Sequence, residues 1–223
     1  HRNGVKQDLT PIADMLNGRE FASASMAAFM LGELGDASAA PMLRAAAKRS
    51  HIDVPEARNL QLSIAEALYK LGDQSAGDVL RAAIYPNTMQ GFEQAALAAQ
   101  MIGEVGDDTA VAQLIRIVKK TRDGGESIVE PDDYLYPPEV RLAAAAALAR
   151  LGYPDGWYVG ERYRTDSSPA LRAQAAHTLG RTGLGRDVAT LNEMLRDPER
   201  RVRVAAASGI LNAIERPTAP KPR

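Results

Sequence analysis

The chain has 223 residues, 45% hydrophobic and 25% charged, enough to bury a sizeable core and unlike a disordered composition. Its 27 Lys and Arg against 28 Asp and Glu exclude a generally basic nucleic-acid binder, and zero Cys excludes disulfides, thiolate metal sites and a Cys nucleophile. Three His (His1, His51 and His177) leave little for a His-based metal site, and no apolar run approaches the roughly 20 residues that cross a bilayer.

The first nine residues read as an N-terminal extension; the chain starts at His1, so any leader is expected to have been removed. The spacing of apolar residues then predicts helix pairs over about 10–34, 36–71, 73–105, 107–151, 153–182 and 184–214, with no convincing β alternation. Residues 121–136, TRDGGESIVEPDDYLY, lengthen the fourth pair, and 215–223, ERPTAPKPR, read as a Pro-rich tail or linker.

These pairs are copies of one unit. Gly35, Gly72, Gly106, Gly152 and Gly183 each close an Ala-rich stretch, at intervals of 37, 34, 46 and 31 residues, and Ile214 stands in for the Gly of a sixth copy. Seven residues before each origin lie Ala28, Ala65, Ala99, Ala145, Ala176 and Ala207; four before lie Leu31, Leu68, Ile102, Leu148, Leu179 and Ile210. A small residue at one fixed place lets two helices approach, and the aliphatic residue one turn on fills the space beside it. Leu43, Leu80, Leu114 and Leu191, eight residues after the Gly, mark the next helix; the fourth copy has Gly160 there. Gly suits the helix C-terminus, and Asp36, Asp73 and Asp107 stand where they can cap the following helix. Pro138, Pro169 and Pro198 precede the long helices of the last three copies.

The segments LGDQSAGDVLRAAI, IGEVGDDTAVAQLIRIVKK and PEVRLAAAAALARLG resemble HEAT-like repeats, especially the short variety also found in phycobilisome lyases, and the likeness covers roughly residues 10–214. It implies an all-α fold, a right-handed α-solenoid of about six helical hairpins whose second helices line a concave surface. The family spans scaffolds, adaptors, lyase subunits and a few enzymes.

On the second helices, offsets −13, −9, −6 and −2 from the origin share one polar, variable face. From this ladder come the candidate partner-binding residues Glu33, Glu66, Lys70, Glu104, Arg150, His177, Arg181 and Arg201; Tyr134 and Tyr136 of the insertion add contact area with polar tips. Up to residue 136 there are 13 basic and 19 acidic residues, and after it 14 and 9, so charge is polarised along the chain. Arg141, Arg172 and Arg203 recur at offset −11. Recurrence favours an arginine packed between repeats, its head paired with a carboxylate or helix C-terminus, over a ladder for phosphates.

The chain carries no phosphate loop, dinucleotide fingerprint or HExxH, and none of the His-Glu pairs of HEAT-like hydroxylases. A HEAT-like DNA glycosylase would need a basic, aromatic-bearing concave surface, and Trp157, the only Trp, lies outside the ladder. The expected function is a non-enzymatic scaffold, without cofactor or metal, that binds another protein as a monomer or weak oligomer. The alternatives are an accessory subunit of a chromophore lyase, suggested by the resemblance, and nucleic-acid binding through the basic C-terminal half. Cytoplasmic and extracytoplasmic bacterial locations both suit a Cys-free soluble chain.

Overall fold

Because the apolar residues recur at helical spacing, the backbone is satisfied almost wholly within helices. A computed structural model of the chain describes residues 8–49, 54–86, 91–126, 133–182 and 185–215. Among them are twelve α-helices, α1 Thr10–Asn17, α2 Phe21–Leu34, α3 Ala40–Arg49, α4 Pro55–Lys70, α5 Gly77–Ala83, α6 Phe92–Val105, α7 Val111–Lys119, α8 Pro138–Arg150, α9 Trp157–Tyr163, α10 Pro169–Thr182, α11 Gly185–Met194 and α12 Arg200–Glu215. The chain forms two compact units, His1–Tyr85 and Pro86–Arg223. In the first, α2 packs on α4; in the second, α6, α8, α10 and α12 pack in succession.

The punctuation works as the residue types dictate. Gly35 and Gly106 adopt φ of 68° and 76°, the left-handed turn that ends α2 and α6 without a Cβ clash. Asp36 then accepts from the Ser38 N–H at 2.9 Å, and Asp107 from the Thr109 N–H at 3.1 Å. Asp73 departs from this: it takes the Arg44 guanidinium at 2.7 Å and the Ser75 hydroxyl at 2.6 Å. Gly183 lies outside the described residues.

The repeated core positions are buried, with Ala28, Ala65, Ala99, Ala145 and Ala176 at 3% exposure or less, while Ala207 of the last helix is exposed. Gly160, which breaks the leucine pattern, lets α9 approach α10; a Cβ there would stand 2.9 Å from Leu179 Cγ. Glycines at offset −3 bring second helices together backbone to backbone. A Cβ on Gly32 would lie 2.9 Å from Ala67 Cα, one on Gly103 2.9 Å from Ala147 Cα, and one on Gly180 2.2 Å from Gly209 Cα. Thus α2 closes on α4, α6 on α8 and α10 on α12.

The insertion begins as a tight turn. Thr121 N–H donates to Gly125 O at 3.1 Å, Asp123 accepts the Gly125 N–H at 2.9 Å, and Leu135 N–H returns to Lys120 O at 2.9 Å. Of its carboxylates, Glu130 and Asp132 lie outside the described residues.

Candidate partner-binding face

The helix registers decide which predicted residues face outward and which face one another. In the first unit, Lys70 at the end of α4 reaches Glu33 of α2 at 2.6 Å and Glu66 one turn back at 2.7 Å, with its ammonium 5.3 Å from the Phe29 ring centroid. Glu66 is buried, at 6% exposure. Burial costs Lys70 hydration, yet hydrogen bonds to Glu33 and then Glu66 outweigh that loss and raise its pKa. The second unit repeats the device: Arg150 of α8 pairs with Glu104 of α6 and donates its Nε to Gly103 O at 3.2 Å. In both, the cation's stem crosses the close-packed glycine, with Lys70 Cδ and Arg150 Cδ at 3.5 and 3.4 Å from the Cβ that Gly32 and Gly103 lack. Glu33, Glu66, Lys70, Glu104 and Arg150 are thereby engaged with one another across adjoining repeats.

Tyr134 is buried beneath the Arg141 guanidinium, 3.3 Å from its ring centroid, and Tyr136 is half-buried edge-on to Phe92 at 6.5 Å. Arg141 is fully buried: its Nε and Nη2 donate to Val118 O at 3.2 and 3.1 Å, and its Nη1 to the Tyr163 hydroxyl at 3.2 Å. Val118 sits in the last turn of α7, whose carbonyls lack helical partners. The Tyr158 hydroxyl donates to the same oxygen at 3.2 Å, and burial pushes its pKa up to about 12. Arg172 binds Asp197 at 2.7 and 2.9 Å and also the Asp166 carbonyl, while Arg203 donates to Asp197 O and Pro198 O, both at 2.8 Å. The recurrent arginines at offset −11 therefore tie loops and helix ends together, which is the packing role.

His177 lies elsewhere. Together with Ala96 and Gln100 of α6, Glu139, Leu142, Ala143 and Ala146 of α8, Ala173, Gln174 and Thr178 of α10, and Ala205 of α12, it lines a cavity of about 290 Å³. Offsets −13, −9 and −6 supply Glu139, Ala143, Gln174, Ala205, Gln100, Ala146 and His177, so the stripe read in the sequence is a physical groove here. Five alanines line it, and the two amides and the imidazole give it polar groups. Reduced hydration, then Arg181 and Arg150, hold the His177 pKa below its usual value, against a smaller opposing pull from Glu104. Arg181 is half-buried near the end of α10, and Arg201 is exposed at the start of α12. The alanines and amides were not singled out in the sequence, because a search for chemistry-bearing side chains passes over the small residues that make room for a ligand.

Among the described residues no three His, Asp or Glu stand where they would hold a metal ion, and no helix is long and apolar enough to cross a membrane. The class the geometry defines is an all-α protein of stacked helical hairpins. Residues 135–211 match the family model for HEAT repeats. No curated protein sequence matches the chain. Among solved structures, the complex of CpcE and CpcF of phycocyanin lyase from Nostoc sp. PCC7120 is similar at 20% identity over 93% of this chain and 77% of that one, with a TM-score of 0.56. An engineered protein is similar at 18% identity over 94% of this chain and 98% of that one, with a TM-score of 0.51. The HEAT-like repeat read in the sequence is matched over residues 135–211, and the two structures share the helical-repeat fold.

Proposed function

We propose that the chain is a non-enzymatic scaffold that binds a segment of another protein in the groove lined by α6, α8, α10 and α12. The observation that carries this reading is a groove lined by five alanines together with the amides of Gln100 and Gln174. Side-chain amides donate and accept, which suits the alternating N–H and C=O groups of an extended peptide, and small lining residues admit its side chains. Protein is favoured over nucleic acid because Arg141, Arg150 and Arg172 are bound to internal partners, leaving a continuous phosphate-binding stripe without those members. A chromophore-lyase accessory role gains less support: about 290 Å³ lies at the lower limit of small-molecule sites, roughly 300–1,000 Å³.

The test is selection of peptides from a random library on the wild-type chain, followed by binding to Ala146→Arg, which fills the groove. Peptides that bind wild type and lose at least tenfold in affinity to a variant of unchanged thermal stability support the reading. If every selected peptide binds the filled variant equally well, the groove is not the docking site.

A further inference from the structure

The cavity among α6, α8, α10 and α12 is graded from apolar to polar. Leu142, Ala143 and Thr178 are buried members of its lining, whereas Gln100, Glu139, Gln174 and His177 are exposed members. The Thr178 hydroxyl lies 3.0 Å from Gln174 O and 3.3 Å from Leu142 O, so its proton is already committed within the protein. The buried lining therefore offers contact area and no donor, and the exposed lining offers amides. An apolar patch ringed by polar groups is the anatomy of a pocket for one anchoring side chain. Size and charge narrow what that anchor is. An apolar cavity of about 150 Å³ admits benzene, so about 290 Å³ has room for a side chain larger than a small aliphatic one. Reduced hydration, and then Arg181 and Arg150, hold the His177 pKa down, so a further cation is disfavoured at that end. Glu139 and the apolar lining disfavour an anion. The anchor is large and uncharged.

The first unit shows what the same register holds when the chain itself fills it. Phe29, at offset −6 on α2, sets its ring centroid 5.3 Å from the ammonium of Lys70, at −2 on α4. In the second unit Arg150 of α8 takes the register of Lys70, and Gln100 of α6 that of Phe29. Ala146 and His177 follow at −6 on α8 and α10. The cation is kept, the chain supplies no ring, and Gln100, Ala146 and His177 all line the cavity. A cation beside an aromatic face is favourable, and a ring brought by a ligand restores that pairing. We infer that the groove seats one aromatic side chain of the bound peptide against Leu142, Ala143 and Ala146, while the amides of Gln100 and Gln174 hold the flanking backbone. This rests on the groove being the docking site, and it names the residue class that the site selects.

The experiment uses the full chain and the peptides selected on it, with affinities read by calorimetry. The selected peptides are expected to share one aromatic position. Leucine in its place costs about fivefold, through the lost ring contacts, and alanine at least about tenfold. Ala146→Leu narrows the cavity; it is expected to weaken the aromatic peptide about tenfold and its leucine version less than about twofold. Gln100→Phe, at an exposed site that tolerates the change, supplies the ring from the chain in the register of Phe29. It is expected to weaken the aromatic peptide about tenfold at unchanged thermal stability. Peptides that lose affinity to Ala146→Arg, yet share no aromatic position or bind equally well with leucine there, overturn the aromatic anchor and leave the peptide groove standing. An aromatic peptide indifferent to both Ala146→Leu and Gln100→Phe overturns the placement of its ring. Peptides indifferent to Ala146→Arg overturn the groove reading itself.

Discussion

Replacing Gly180 by alanine tests the close approach of α10 to α12. The new Cβ would lie 2.2 Å from Gly209 Cα and 2.8 Å from both its carbonyl carbon and oxygen, all backbone atoms that cannot swing aside. Restoring ordinary contact requires α10 and α12 to part by about 1 Å, which loosens the cluster of Leu179, Leu191, Val202 and Ala206 between them. Overpacking of this kind costs about 1–3 kcal/mol, and the higher helix propensity of alanine returns about 1 kcal/mol. With the contact so short the upper end applies, for a net loss of about 2 kcal/mol. At Gly32 and Gly103 the nearest atom is 2.9 Å away, so the helices yield by less and the net change is about 0–1 kcal/mol. Urea unfolding followed by far-UV circular dichroism gives the ranking, and hydrogen exchange of residues 169–215 localises it. A Gly180→Ala variant more stable than wild type would show propensity alone at work and refute the close approach.

Arg141→Lys loses the fork that serves Val118 O and Tyr163 while keeping a buried charge, and should cost about 3 kcal/mol in the same unfolding assay. Lys70→Ala leaves the buried Glu66 without its counter-charge and should cost about 2 kcal/mol, whereas Glu33→Ala, at a side chain 53% exposed, should cost under about 0.5 kcal/mol. The folded His177 pKa lies below the unfolded value of 6.5, so the unfolded chain takes the proton first; stability is full above pH 6.5 and declines as pH falls toward the folded pKa. The difference in melting temperature between wild type and His177→Gln should follow that window.

The sequence made the alanine at offset −7 plain because each inner copy solves the same packing problem with the same residue. It hid the glycines at −3, where Gly32, Tyr69, Gly103, Ala149, Gly180 and Leu211 alternate, since that order emerges only at a period of two repeats. The ladder at −2 was visible as a set of charges, but the pairing of Glu33 with Lys70 and Glu104 with Arg150 depends on the axial offset of neighbouring helices, which spacing along one chain does not fix. Tyr134 reads as a loop aromatic until Arg141, seven residues on, turns its guanidinium over the ring. The groove follows from the same stripe, yet its capacity comes from what alanines leave empty.

Since the charges at −2 hold repeats together, recognition in the groove rests on other groups. Its lining offers alanines, two glutamines, Thr178, Leu142 and a histidine whose charge is disfavoured, with Glu139 as the one carboxylate. Binding there should depend on shape and hydrogen bonds to peptide backbone, and screening should matter little. For a peptide selected on the groove, affinity is expected to change less than about twofold between about 50 and about 500 mM salt, measured by calorimetry. A ligand bound through the basic half would behave differently: neutralising even three phosphates gives a slope near −2 to −3 in log affinity against log salt, a loss of more than about a hundredfold over the same range. The salt titration therefore separates recognition by shape from recognition by charge, and a steep slope would return the site to the arginines of the C-terminal half.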